Sequence, residues 1–379
     1  MSRLVPKLRF KEFSGEWEER KLGGVVKFLD GKRKPIKESD RANMQGEYPY
    51  YGASGIIDYV NDFIFDEDII LLSEDGENIV SRNLPLVFKV AGKSWVNNHA
   101  HVLKPQKLHK LDFLVQYMEN LSYVRYNSGG AQPKLNQAVC KTIPLILPIP
   151  KEQQKIASCL SSLDSLIEAQ NKKVSALKQH KKGLMQQLFP AEGEREPKLR
   201  FKAFSGEWEE KKLSMVSNIT TGGSNREDST KNDGEYTFFD RSEDVRTSAR
   251  YLFDDEAIII AGEGQKFTPK YYKGKFDLHQ RTYAILELQI IGKFLYYYID
   301  KYKDYFLQNA VGSTVKSLRL PMFQQMPVLL PILTEQQKIA NTLSTLDSLI
   351  EAQNQQINHL KQHKKGLMQQ MFVSSEVGV

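Results

Sequence analysis

Cysteine is nearly absent from this 379-residue chain, which holds only Cys140 and Cys159. Neither falls in a C-x-x-C or comparable ligand spacing, so neither a disulfide framework nor a structural zinc site is expected to organise the fold. A reducing cytoplasm fits that composition. Long apolar runs are missing as well, and no stretch approaches the ~20 residues of a membrane span. The N-terminal MSRLVPKLRFKEF is basic but lacks the apolar centre of a signal peptide. Two signatures of nucleotide chemistry are broken. Asn83-Leu84-Pro85-Leu86 lacks the first proline and the aromatic of an N-P-P-[YF] run that would line the flipped-base pocket of an adenine methyltransferase. Gly92-Lys93-Ser94 matches the tail of a phosphate-binding loop, but Val87 stands where its first glycine belongs. Gly262-Glu263-Gly264 is too short to signal a cofactor loop. His99 and His101 would share one face of a strand, yet no further ligand cluster accompanies them. Catalytic, cofactor and metal-ligating residues are therefore all expected to be absent.

What is present in excess is positive charge, +7 net with a pI near 9.0. Such an excess suits a polyanionic partner, because each neutralised phosphate releases counterions. The length allows two or three domains, each able to bury a core.

Self-similarity organises the chain. PKLRFKEFSGEWEERKL (Pro6–Leu22) recurs as PKLRFKAFSGEWEEKKL (Pro197–Leu213), with changes only at Glu12/Ala203 and Arg20/Lys211. Glu152–Phe189 recurs as Glu335–Phe372, with 29 of 38 positions identical. The offsets are 191 and 183, so the intervening part is eight residues shorter in the second copy. Those intervening parts, Gly23–Thr142 and Ser214–Gln325, hardly match. They read as short β-branched and aromatic strands broken by Asp and Gly. The matched parts would do one job twice, and the unmatched parts related jobs on different targets. By sequence the chain divides into a first domain (1–146), a first helical region (147–189), a polar linker (190–196), a second domain (197–329) and a second helical region (330–379).

The helical regions carry apolar residues in alternating four- and three-residue steps. The seam runs Ile156, Leu160, Leu163, Ile167, Gln170, Val174, Leu177, Lys181, Leu184 and Leu188. Its second copy runs Ile339, Leu343, Leu346, Ile350, Gln353, Ile357, Leu360, Lys364, Leu367 and Met371. This is a coiled-coil stripe. A lone helix of ~57 Å with such a stripe needs a partner to bury it, and the other copy is the obvious one. The expected fold is α/β: two domains of mixed strand and helix, separated by two long antiparallel helices in a coiled-coil-like spacer, with a pseudo-two-fold internal repeat. At the midpoint Gln170 and Gln353 are expected to meet, flanked by Ile167–Ile357 and Val174–Ile350 layers. Spacer length would then follow helix length. His359 and His363 share a helix face, but Ala176 replaces His359 in the first copy, which argues against a metal role.

These residues resemble the specificity subunits of type I restriction–modification systems. The resemblance rests on LPIPKEQQKIA…LDSLIEAQ at Leu147–Gln170 and its repeat at Leu330–Gln353, where Leu333 replaces the second proline and leaves that helix start free to differ. It also rests on the doubled lead-in, on YYGASGIIDYV…SEDG (Tyr50–Gly76) with VNNHAHVLKP (Val96–Pro105), and on FDLHQRTYAIL (Phe276–Leu286), which looks like a different recognition-domain subtype. The resemblance implies two target recognition domains, each reading half of a bipartite, asymmetric site in double-stranded DNA. It implies helices that dock two methyltransferase subunits, which carry S-adenosylmethionine and methylate adenine. Restriction subunits with an ATP-driven motor would join through that core. The chain itself would be non-catalytic.

Candidate DNA contacts follow from residue type. The basic turn Gly31-Lys32-Arg33-Lys34 suits phosphates. Tyr50, Tyr51, Ser54, Asn97, Asn98 and His99 would place aromatic and amide groups in loops, where base edges can be read. Gln132 and Lys134 lie in the Gly-led loop Ser128–Asn136, whose second-copy counterpart holds Thr314 and Lys316. Asn225, Arg226, Arg241, Gln265, Gln280 and Arg281 complete the second set. A solvated turn is the plain alternative for any one of them. For the whole chain the alternatives are a free-standing duplicated DNA-binding or architectural protein, and a coiled-coil scaffold for other proteins.

Overall fold

The computed structural model describes residues 4–231 and 233–373. They form two compact units, one built from the chain up to Asn171 together with the part from Gln356, the other from Lys172–Gln355.

In unit 1 the strands are β1 (Glu18–Lys21), β2 (Val26–Phe28), β3 (Gln45–Gly52), β4 (Gly55–Val60), β5 (Phe65–Asp66), β6 (Ile69–Ser73), β7 (Val87–Val90), β8 (Lys93–Val96), β9 (Ala100–Pro105) and β10 (Pro144–Leu147). Helix α1 (Leu111–Glu119) precedes β10, and α2 (Pro150–Leu188) follows it. One sheet has the order β2-β9-β6-β7, a second β4-β3-β8-β5, and β1 pairs with β10. Strand β6 reads Ile-Ile-Leu-Leu-Ser and is buried throughout. Because side chains alternate across a strand, Ile70 and Leu72 enter the main core with Phe113 and Tyr117 of α1. Ile69 and Leu71 enter a second core with Phe65 and Val96. An unbroken apolar run is what a strand covered on both faces requires.

Unit 2 uses the same device. Its strands are β11 (Glu209–Lys212), β12 (Asn218–Thr221), β13 (Tyr236–Phe239), β14 (Val245–Ser248), β15 (Phe253–Ala261), β16 (Glu263–Gly264), β17 (Lys270–Leu278), β18 (Thr282–Leu286), β19 (Lys316–Ser317) and β20 (Pro327–Leu330), with helix α3 (Gly292–Lys301); α4 (Leu333–Met371) starts in this unit. Six strands form one sheet in the order β12-β18-β15-β17-β13-β14. Ile258 and Ile260 of β15 pack in the core that holds Phe294 and Leu295 of α3. Ala257 and Ile259 pack with Phe239 and Phe276.

The long helices are each 39 residues and start at matching positions, Pro150 and Leu333. The proline-to-leucine change therefore leaves the second helix start unaltered. A repeated glutamine fixes it instead. Gln153 donates to the Pro148 carbonyl (2.9 Å) and accepts from the Lys110 N–H (3.0 Å). Gln336 donates to Pro331 (2.8 Å) and accepts from Ile291 (3.1 Å).

Within each unit the helix segments run antiparallel. In unit 1, Ile156 and Leu160 near the start of α2 share a core with Met371 and Phe372 at the end of α4, while Asp164 meets Lys364 at 2.6 Å. In unit 2, Ile339 and Leu343 pack with Leu188 and Phe189, and Asp347 meets Lys181 at 2.6 Å. Along the two stripes Ile156, Leu160, Val174, Ile339, Leu343 and Ile357 are buried; Leu163, Ile167, Leu177, Leu184, Leu346, Ile350, Leu360 and Leu367 are half-buried. Gln170 belongs to unit 1 and Gln353 to unit 2. Each has a buried Oε1 without a hydrogen-bond partner among the described residues.

The doubled lead-in has a structural reason. Arg9 grips buried Glu152 with a two-pronged contact (2.7 Å each), while the Leu8 N–H donates to the Gln370 carbonyl (2.9 Å). Arg200 grips Glu335 (2.9 and 2.8 Å), and Leu199 donates to Gln187 (2.9 Å). Each lead-in thus ties the start of one long helix to the end of the other. The segment 190–196, polar enough to read as a linker, is also held down in unit 2. The Tyr302 hydroxyl donates to the Pro190 carbonyl, and the Trp208 N–H donates to the Arg195 carbonyl at 3.0 Å.

Candidate nucleic-acid interface

In unit 1 the fold gathers the candidate segments at one end of the sheet β2-β9-β6-β7. The hub is buried. His101 on β9 donates from Nδ1 to Asp30 (2.7 Å) and from Nε2 to the Leu135 carbonyl (2.8 Å). Burial alone would push this imidazole down. The bonds to Asp30, Cys140 and Leu135, with the charge of Asp30, overcome it and hold the pKa at about 10. Burial would raise Asp30 in turn, but its bonds from His101, the Val102 N–H and Gln137 keep it below the usual carboxylate range. Around this pair, Arg33 bonds Glu74 (2.6 Å) and the Ala100 carbonyl (2.8 Å), and Lys134 reaches Glu74 at 3.3 Å.

Three candidates have their polar groups engaged within the fold. Arg33 bonds Glu74 and the carbonyls of Asn98 and Ala100, so it braces the loop. Tyr50 lies on β3, 1% exposed, with its hydroxyl accepting from the Ile36 N–H (3.0 Å). Asn97 is buried and caps its own turn, its Oδ1 accepting from the His99 N–H (2.8 Å). Tyr51 is a half-buried strand residue as well. Lys32, Lys34, Ser54, Asn98, His99, Gln132 and Lys134 are exposed. Among the described residues, Lys32 and Lys34 have no carboxylate in ion-pair range, and Lys34 sits over the Trp95 ring at 6.0 Å. His99 and His101 contact different carboxylates: His99 meets Asp75 at 3.0 Å.

In unit 2 the candidates also converge. Gln280 donates to Asn225 (2.7 Å), Arg226 pairs with Asp240 (2.8 Å), and Gln265 donates to the Thr314 carbonyl (3.1 Å). Arg281 donates to Glu263 at 2.5 Å, with Arg241 at 3.8 Å from the same carboxylate. Lys316 pairs through its backbone with Gly264. Asn225, Arg226, Arg241, Gln265, Gln280, Arg281 and Thr314 are exposed, and Lys316 is half-buried. Beneath them, buried Asp277 accepts from Ser224 (2.6 Å) and Ser248 (2.8 Å).

The two ends correspond position by position. In unit 1 Ser73 pairs with Ala100, and in unit 2 Ala261 pairs with Thr282. That register aligns Asp75 with Glu263, His99 with Arg281, and Asn97 with His279. His279 does what Asn97 does, accepting the N–H two residues on, here from Arg281 at 3.0 Å. The Leu135 N–H donates to the Glu74 carbonyl (2.7 Å) and the Leu318 N–H to Gly262 (2.9 Å). Gly76 and Gly264 both take positive φ, 113° and 146°, which favours glycine. A net positive charge draws no notice to the carboxylates Asp75 and Glu263, which hold His99 and Arg281. The acid–glycine pairs Asp75-Gly76 and Glu263-Gly264 were the available signal.

The family model described as type I restriction modification DNA specificity domain matches residues 14–179 and again 205–362. The type I restriction enzyme MjaVIII specificity subunit of Methanocaldococcus jannaschii is 25% identical, over 95% of this chain and 94% of its own. A Haemophilus influenzae reading frame assigned as type I restriction enzyme specificity subunit S.HindORF215P is 33% identical over 40% of this chain and 38% of its own. The EcoDI specificity subunit of Escherichia coli is 32% identical over 43% and 36%. The chain thus spans well under half the length of the latter two. Among solved structures, the type I restriction–modification S subunit of M. genitalium superposes with a TM-score of 0.67 at 15% identity, covering 98% of this chain and 99% of that one. At that identity the likeness establishes the fold.

Proposed function

Since the chain belongs to the type I restriction modification DNA specificity domain family and serves as its DNA-recognising specificity subunit, we propose that the loop end of each unit reads one half of a bipartite site. The observation that carries this is the matched register of the two ends. One scaffold presents Asn98-His99 in unit 1 and Gln280-Arg281 in unit 2, so the same architecture offers different hydrogen-bonding groups. A protein-docking scaffold has no reason to place such different hydrogen-bonding groups at matching positions of the two units. Lys32 and Lys34, without a carboxylate partner among the described residues, suit the phosphates that set position but carry no sequence information. The long helices dock two methyltransferase subunits, which supply S-adenosylmethionine and transfer the methyl group to adenine; motor and nuclease subunits join through them. Among the described residues no helix is long and apolar enough to cross a membrane, and the complex works in the cytoplasm. The test is to co-express the chain with its cognate methyltransferase subunit and map methylated adenines across the genome. One bipartite motif with a fixed unread gap, lost when this gene is deleted, is the expected result. A stable co-purified complex without new methylation refutes the reading.

A further inference from the structure

The exposed cations of the two loop ends fall into two kinds. Among the described residues Lys32 and Lys34 have no acidic partner, whereas Arg281 is bound to Glu263 at 2.5 Å. A cation already neutralised by a carboxylate adds little to phosphate attraction. What the pairing does is fix direction: a guanidinium has five donors in a planar fork, and a carboxylate holding one edge aims the others. Arg281 remains 58% exposed with no other side-chain hydrogen bond among the described residues. Its turn is stiff. The Arg281 N–H donates to His279, the Thr282 N–H to the His279 carbonyl (2.9 Å), and the Gln280 N–H to the Ser224 carbonyl (2.9 Å). Beside it lies a cavity of about 330 Å³, lined by Arg281, Glu263, Gln280 and Arg319. Orientation by a half-buried acid, exposure, and a rigid tip are what reading a base edge needs.

Resting on the two-reader assignment above, we infer that Arg281 reads a guanine in the second half-site through the O6 and N7 acceptors of the major groove, and that Glu263 is its positioning residue. Two parallel N–H donors match guanine and no other base at that edge. Glu263 does not contact the base. It holds Nη1 so that the remaining donors face outward. The matching place in unit 1 carries His99 on Asp75, so the base read there is recognised by an imidazole and the two halves differ.

The experiment maps methylated adenines for the full complex carrying wild-type chain, Arg281→Ala, Arg281→Lys or Glu263→Gln. The half read by unit 2 is identified as the one that changes when residues 214–325 are exchanged. The wild type is expected to require guanine at one position of that half. Arg281→Ala and Arg281→Lys relax that position by roughly ten- to one-hundred-fold, the range for losing one paired base contact. Glu263→Gln relaxes the same position less, and the first half-site stays intact in all three, which reports that the complex is folded. A bipartite motif whose second half lacks a fixed guanine, or keeps it unrelaxed in Arg281→Ala, overturns this inference alone. So does uniform weakening at every position, the signature of a phosphate contact. A wild-type complex that methylates no bipartite site overturns the two-reader assignment and this inference with it.

Discussion

Lys32 and Arg33 are neighbours in sequence with the same charge, yet they have different work. Arg33 is fastened to Glu74, 41 residues away, and to the carbonyls of Asn98 and Ala100. Lys32 stands in solvent. Lys32→Ala should therefore weaken DNA binding equally at specific and non-specific sequences and lower the slope of log affinity against log salt by about 1. Equilibrium titrations at several salt concentrations check this, and an unchanged slope would remove Lys32 from the phosphate contacts. Such a division could not be read from residue type. Tyr50 and Asn97 look alike as base readers by residue type, but in the fold one supports the Ile36 backbone and the other caps its turn.

The long helices were the most legible elements, because a seam of alternating four- and three-residue steps has one structural meaning and 29 of 38 repeated positions identify its partner. The strand order was not legible. Strands such as β2 and β5 are two or three residues long, β3 shifts register twice against β4, and β13 pairs in parallel with β17 across a long connection. Those pairings depend on contacts far apart in sequence. The lead-in repeat was visible without its reason, since nothing local announces that Arg9 is the counter-ion of Glu152. Glu152 is buried, so Arg9→Ala leaves a carboxylate without a partner. The expected cost is about 3–5 kcal/mol, the range for breaking a buried pair from one side. Urea unfolding should show a lower midpoint for Arg9→Ala, and Arg200→Ala should repeat the effect through Glu335. An unshifted midpoint would mean that the lead-in grips neither helix in solution.

For the whole molecule, the repeat separates what is constant from what varies. The lead-ins, the glutamine-fixed helix starts and the stripes are shared, while the tips after β6 and β15 and before β9 and β18 differ. A chain organised this way should be modular in what it reads. The most direct test is to exchange Gly23–Thr142 for the corresponding segment of another specificity subunit and map methylated adenines in the assembled complex. The account predicts that one half of the bipartite motif is replaced while the other half is kept. A change in both halves, or in neither, would contradict it.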